Sequence, residues 1–429
     1  MGSGAARRRP AQTRSPGGRF GRKPVHLGCP YPPPLGRRLL APSGPCRRPI
    51  RPLRRRPLPN SAVDLRSPVI MSRFLQLHVL TAYAASNLNR DDTGRPKTLN
   101  FGGAERLRVS SQSLKRAFRQ SELFQSRLPG ELGTRSQDFA KALVSALVAR
   151  GVEEAEAITR AEALIDHDKL GKVKKGKAQT EQLVHLGPDE LAAIDALAER
   201  LATSATLDDK AMLVLKSKPR AVDIAMFGRM LAGNPGFNVE AAVQVAHAFT
   251  THRATPEDDY YTTVDDIKNA DQEEDRGAGF LGILEYGSGL FYLYICINAD
   301  LLVDNLAGDQ ALAAEAAALL IEAACTISPT GKQNTFASRA RGLYALLEIG
   351  EETPRSLAAA FQYAVGSRAT EADHLAASIQ RLTALREGFS KAYGENLRSV
   401  ALDVTDPATP GLKALIAAAR DAVCPPTGQ

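Results

Sequence analysis

The side chains best placed for chemistry lie between residues 87 and 119. Asn87-Leu88-Asn89-Arg90-Asp91-Asp92 reads as a polar turn and Phe101-Gly102-Gly103 as a second one. Val109-Ser110-Ser111-Gln112-Ser113-Leu114-Lys115-Arg116 then opens a helix: Ser110 or Ser111 suits the N-cap, and Leu114 and Phe118, four apart, mark the buried face. This spacing puts Lys115 and Arg116 in the first turns, where the helix dipole disfavours cations by a few tenths of a kcal/mol. A phosphate removes the conflict, held by free backbone N–H groups, serine hydroxyls and the two cations.

Charge is distributed accordingly. The chain is formally +8, but residues 1–70 hold 16 Lys and Arg against the single acid Asp64, so the remainder is −7. Within that acidic remainder, residues 90–119 carry eight cations (Arg90, Arg95, Lys97, Arg106, Arg108, Lys115, Arg116, Arg119) and three acids (Asp91, Asp92, Glu105). A confined positive stripe is the footprint of a polyanion site. A solvated basic hairpin followed by ordinary surface lysines explains charge alone equally well.

The first seventy residues contain 14 of the 26 prolines and runs such as Arg7-Arg8-Arg9, without apolar periodicity. Such a segment cannot offset its chain entropy and is expected to be disordered. It has neither the apolar core of a secretion signal nor the amphipathic helix of a transit peptide. We read it as translation from a start codon placed too early, with Met71 the true beginning; an Arg-rich nucleic-acid-binding tail is the alternative. Cys29, Cys46, Cys296, Cys325 and Cys424 form no Cys-x-x-Cys pair, which favours a reducing cytoplasm over a zinc site or disulfide framework. No apolar run reaches the roughly 18 residues of a membrane span.

The elements that would position the basic stripe alternate between sheet and helix. Strand patterns occur at Phe74–Leu80, at Phe280–Glu285 and at Leu290–Ile297, with Gly287-Ser288-Gly289 suggesting a hairpin between the last two. Helical periodicity fills most of 136–204, including a helix opened by Gly187-Pro188 and carrying Leu191, Ile194, Leu197 and Leu201. Further helices are expected at 309–325, 354–365, 370–393 and 410–422. The class is α+β, a sheet interrupted by a long helical insertion. Tyr260 and Tyr261, in a polar acidic stretch, are either core residues of a short strand or an exposed wedge. Lys169–Lys177, with five lysines in nine residues, reads as a mobile solvated loop.

Together, His78, Leu88-Asn89-Arg90-Asp91-Asp92, Lys97, Phe101-Gly102-Gly103, Arg108 to Arg116, Val222-Asp223-Ile224-Ala225, Gly228-Arg229-Met230, Ala246-His247-Ala248, Thr250-Thr251-His252, Thr263-Val264-Asp265-Asp266 and Gly331-Lys332-Gln333 resemble the RNA-binding backbone subunit of the type I-E CRISPR surveillance complex Cascade, the CasC-type family. The resemblance runs from Met71 to near the C-terminus. It implies an RRM-like (ferredoxin-like) palm from 71–125 and 285–429, a mainly helical fingers insertion at 126–220 and a β-hairpin thumb at 250–284. It implies a non-catalytic, cytoplasmic protein without cofactor. Copies would stack head to tail along a CRISPR RNA beside other Cascade subunits and present the guide to a target DNA strand for base pairing. By motif, Arg90, Lys97, Ser110, Gln112, Lys115 and Arg116 would contact guide phosphates, and Met230 would wedge beside a displaced base. Tyr260, Tyr261 and Thr262 would occupy the thumb.

Two rival classes fit less well. A metal-dependent endoribonuclease could use Asp91 or Asp92, although salt bridging to Arg90 and Arg95 accounts for both acids. A stand-alone single-stranded nucleic-acid binder would need no partner subunits. His247 and His252, five apart, do not share a helix face as a helical zinc motif requires. Gly331-Lys332-Gln333-Asn334 is too short for a nucleotide-cradling loop.

Overall fold

Leu75, Leu77 and Val79 alternate with Gln76, His78 and Leu80 along the first strand, and all six are buried, so this strand is covered on both faces. The computed structural model describes residues 73–204, 212–263, 280–368, 371 and 373–425, all within one of the two units of the chain, Pro68–Gln429. The readings of residues 1–70 and of 264–279 within the expected thumb fall outside the described residues.

In chain order the strands are β1 (Phe74–Ser86), β2 (Thr98–Phe101), β3 (Ala104–Val109), β4 (Thr134–Ser136), β5 (Val173–Lys174), β6 (Gln179–Thr180), β7 (Val184–Leu186), β8 (Val243–Val245), β9 (Ala248–Thr250), β10 (Glu257–Thr263), β11 (Phe280–Asn298), β12 (Gly342–Gly350) and β13 (Arg398–Asp403). The helices are α1 (Ser111–Arg119), α2 (Glu122–Arg127), α3 (Phe139–Val148), α4 (Glu154–His167), α5 (Pro188–Thr203), α6 (Val222–Phe227), α7 (Ala299–Asn305), α8 (Gln310–Thr326), α9 (Gln333–Phe336), α10 (His374–Tyr393) and α11 (Leu412–Val423). The main sheet runs β13-β12-β1-β11-β9-β3-β2, with β8 and β10 also paired to β11, and its pairs are antiparallel. The order β1, α1, β8–β9, β11, α8, β12 is thus a β-α-β-β-α-β succession within a mixed α+β architecture.

One face carries Leu75, Leu77, Val79, Leu293, Ile295 and Ile297 against Leu114 and Phe118 of α1 and the alanine-rich α8. The small side chains Ala313, Ala316, Ala317 and Ala323, essentially inaccessible, let α8 lie close to the sheet. The other face packs Leu80, Tyr292, Tyr344 and Leu346 against Phe361 and, from α10, Ala377 and Leu382. A further apolar cluster draws on residues between Phe139 and Leu231, chiefly from α3, α4 and α5.

Three local expectations are corrected. Gly287-Ser288-Gly289 is not a turn: β11 runs unbroken from Phe280 to Asn298. A Cβ at Gly287 would come within 2.5 Å of Leu107 Cδ1, and one at Gly289 within 2.6 Å of Thr250 Cγ2, so these glycines admit neighbouring side chains. Residues 354–365 form only a single 3-10 turn, Ala358–Phe361. Side chains compete for their amides there, since Arg355 N donates to Gln76 Oε1 at 2.7 Å and Leu357 N to the Tyr292 hydroxyl at 3.2 Å. The lysine-rich segment is a β5–β6 hairpin, Val173 opposite Thr180 and Lys174 opposite Gln179. Among the described residues no helix is long and apolar enough to cross a membrane.

Candidate nucleic-acid interface

Ser110 is the N-cap of α1, with Ser113 N donating to its Oγ at 3.4 Å, and Leu114, Ala117 and Phe118 form the buried face. The amides of Ser111 and Gln112 precede any helical carbonyl they could reach, and the first turn holds no acid. Arg116 does not sit in the first turns of α1. Lys115 and Arg116 are the fifth and sixth residues of a nine-residue helix, and Arg116 falls in its last turn, where the dipole favours a cation. Arg116 is exposed, with Nε donating to Gln120 Oε1 at 2.9 Å. Lys115 is half-buried, its ammonium 5.4 Å from the centroid of the Phe227 ring, and burial lowers its pKa.

Several cations of the 90–119 stripe are already engaged. Arg106 is fully buried and donates to the carbonyls of Thr250, Thr251, Phe101 and Phe361. It therefore stitches the β2–β3 tip to the strand leading into β10. At that tip Gly102 has φ +61°, and a Cβ there would overlap the Gln362 carbonyl oxygen. Arg95 pairs with Glu285 at 2.7 Å and Arg119 with buried Asp223 at 2.7 Å. Arg108 Nη1 donates to His247 Nδ1 at 2.8 Å. His247 immediately precedes β9 and His252 lies just beyond it.

The 87–97 turn is built onto the start of α1. Asn89 accepts from Lys97 N through its carbonyl and from Ser110 N through its side chain, both at 2.9 Å. Asp91 Oδ1 accepts from Thr93 N, Thr93 Oγ1 and Arg95 N at 2.8–3.0 Å. These bonds, led by the Thr93 hydroxyl, lower its pKa and commit the carboxylate to closing the turn. Among the described residues no group of three or more His, Cys, Asp or Glu is placed to hold a metal ion.

Opposite this turn and α1 stands the 327–341 segment, and between them opens a cleft of 1070 Å³. Arg90, Ser113, Arg116 and Gln120 line one wall; Thr330, Gln333, Arg339 and Arg341 line the other. Arg339 and Arg341 are exposed and were missed by the sequence reading. Their spacing of two, which gives both side chains one direction on extended backbone, was the available signal. The walls meet where Gly331 rests on the Leu88 carbonyl, which a Cβ would overlap. Gly331→Ala is therefore expected to displace the 330–341 wall and weaken RNA binding several-fold while the unfolding temperature falls by only a few degrees. Filter binding beside a thermal melt measures both.

The remaining site residues lie away from the cleft lining. Met230 is 83 % exposed between buried Arg229 and buried Leu231. Tyr260, Tyr261 and Thr262 are exposed on β10, opposite Ile283, Gly282 and Leu281 of β11. Tyr260 and Ile283, 63 % and 70 % exposed, share a ribbon face, and Tyr261 lies over Gly282, where a Cβ would meet its hydroxyl at 2.6 Å. The tyrosines are thus exposed strand residues, not core. Arg90 and Arg116 share the cleft, while Lys97, Ser110, Gln112 and Lys115 sit on the 87–97 turn and α1 beside it.

Comparison with known proteins agrees with this architecture. The family model described as CT1975-like protein matches residues 75–423. A chain of a solved "CRISPR RNA-guided surveillance complex, pre-nicking" superposes with a TM-score of 0.68 at 31% identity, covering 81% of this chain and 100% of that one. A chain of a "CRISPR RNA-guided surveillance complex" gives 0.61 at 28% identity, covering 80% and 99%. No curated protein sequence matches the chain. A family match over most of the length, joined to the same fold in those two chains, means that this protein belongs to the CT1975-like protein family.

Proposed function

We propose that this chain is a non-catalytic guide-RNA-binding backbone subunit of a type I-E-like CRISPR surveillance complex. Copies follow one another head to tail along the RNA beside other subunits and present its bases to a target DNA strand. The β-α-β-β-α-β sheet serves as an RRM-like palm, the segment around α3–α5 as fingers, and the β10–β11 ribbon as the root of a thumb. The carrying observation is the cleft with Arg90 and Arg116 on one wall and Arg339 and Arg341 on the other. Cations that contact phosphates hold any guide regardless of sequence, leaving recognition to base pairing.

The location of the cleft also fits. An RRM stacks bases on an open sheet face, but here that face, with Tyr292, Tyr344 and Phe249, is closed by the 358–361 turn and α10. RNA therefore runs past the start of α1 and the 327–341 segment. Exposed Met230 and Tyr260 supply apolar surfaces for unstacked bases, a contact tolerant of base identity.

The test is to co-express the full chain with its partner subunits and sequence the RNA that copurifies. Uniform CRISPR RNA is expected; RNA random in length and sequence would instead indicate a stand-alone single-strand binder. The cleavage reading has its own assay. Magnesium-dependent scission of a complementary RNA, lost in Asp92→Ala, would replace the non-catalytic assignment, whereas the occupied Asp91 carboxylate leads us to expect intact RNA.

A further inference from the structure

Exposed methionines are usually free to move, but Met230 is held on both sides. Gly228 turns the chain at φ +79°, where a Cβ would meet the Val239 carbonyl at 3.0 Å. Arg229 then enters the interior. Its Nη1 donates to Glu190 Oε2 at 2.6 Å, Nη2 to the Lys216 and Phe237 carbonyls at 2.8 and 3.1 Å, and Nε to Phe237 O at 3.2 Å. Glu190 is equally occupied, accepting Gly187 N at 2.9 Å and Lys216 N at 2.8 Å. On the far side Leu231 N donates to Asn238 Oδ1 at 2.6 Å.

A second buried group joins this anchor to α1. Arg119, the last residue of α1, donates from Nε to Asp223 Oδ2 at 2.7 Å; the same oxygen accepts from His185 Nε2 at 3.0 Å. Asp223 Oδ1 accepts Gly133 N at 2.7 Å. The His185 carbonyl in turn accepts from Arg229 Nη1 at 3.4 Å, and α6, whose second residue is Asp223, ends at the Gly228 turn. Polar side chains buried this completely are costly unless every bond is made. Here they link the end of α1 to the turn that carries exposed Met230.

We propose that the series running from half-buried Arg119 through Asp223, His185 and Arg229 to Glu190 fixes the offset between the helix that grips guide phosphates and the methionine that parts its bases, with Asp223 and Arg229 as positioning residues. The proposal rests on the guide-binding reading above. Neither residue touches RNA; each acts through the place it gives Met230 relative to α1. Asp223→Asn is a selective break, because the amide oxygen still accepts Gly133 N while the NH2 group faces the donor Arg119. Arg229→Lys keeps the charge but supplies one nitrogen in place of a planar fork.

The experiment binds the full chain to single-stranded RNA carrying 2-aminopurine at one position at a time, and reads fluorescence along the strand with affinity and unfolding temperature in parallel. Wild type is expected to show recurring maxima at unstacked positions, and Met230→Ala to flatten them. Asp223→Asn and Arg229→Lys are expected to flatten or shift the same maxima with affinity changed only a few-fold. Leu197→Ala, a cavity in the α5 cluster, is expected to lower the unfolding temperature with the pattern intact. If Asp223→Asn and Arg229→Lys merely lower the unfolding temperature and leave the maxima in place, or if Leu197→Ala disturbs them equally, the positioning role is wrong. A flat wild-type profile, or maxima indifferent to Met230→Ala, overturns the wedge reading itself and so is distinguishable.

Discussion

Arg116→Glu combined with Arg339→Glu is expected to lower affinity for single-stranded RNA by roughly a hundredfold, with little change in unfolding temperature. The two residues come from opposite walls of one cleft, and both are exposed. A charge-assisted hydrogen bond contributes about 1.5–3 kcal/mol, so losing one from each wall costs at least about 3 kcal/mol, before any repulsion from the new carboxylates. Folding should hardly register the change, because surface substitutions of this kind stay within about 0.5 kcal/mol. The salt dependence gives an independent reading. Each phosphate neutralised on a single strand contributes about −0.7 to the slope of log affinity against log salt, so two lost contacts make it shallower by about 1.4. Titrations at several salt concentrations measure affinity and slope together, and an unaltered slope would place the RNA elsewhere.

Glu348→Gln should do the opposite, destabilising the protein by about 3–5 kcal/mol while leaving RNA affinity per folded molecule unchanged. Glu348 is inaccessible and holds Arg355 at 2.5 Å, Arg386 at 3.0 Å and His78 at 3.2 Å. Burial alone would raise its pKa, but the hydrogen bonds from His78 and Arg355 and the Arg355 charge outweigh burial and bring it to about 2. His78 is lowered, chiefly by burial. Its partners select one neutral form, with Nε2–H donating to the carboxylate and Nδ1 accepting from the Tyr292 hydroxyl at 2.9 Å. The network lies on the α10 side of the sheet, away from the cleft, which is why binding is spared.

The same groups set the acid response. A carboxylate depressed in the fold stabilises above its unfolded pKa, and that contribution is lost as pH falls toward the folded value. For Glu348 the window runs from about 4.3 in the unfolded chain down to about 2. The lowered histidine acts earlier: below about pH 6.5 the unfolded state takes up a proton that folded His78 resists, so stability starts to decline there. Urea unfolding between pH 7 and pH 3 should show both losses, and Glu348→Gln should abolish the lower one.

Much of the α1 region was legible in advance because its signals are local. The Ser110 cap, the Leu114–Phe118 face and the α5 opening at Gly187-Pro188 depend on side chains within a turn or two of one another. The cation stripe was less legible, since charge is visible in a sequence but its partners are not. Arg95, Arg106 and Arg119 meet Glu285, the Thr250–Thr251 carbonyls and Asp223, all more than a hundred residues away in the chain. Gly287-Ser288-Gly289 misled for a related reason. Glycine signals a turn or a close approach equally well, and only Leu107 and Thr250 on neighbouring strands decide between them.

Composition and short-range pattern were enough to establish an α+β chain with a serine-capped, cation-bearing helix. Which cations stay exposed, that Arg339 and Arg341 face Arg90 and Arg116, and that Met230 projects outward between anchored neighbours were settled by long-range packing. The reason is that a side chain's availability depends on what the rest of the fold brings within about 3 Å of it, and for a residue in a sheet or buried network those neighbours are remote in the chain.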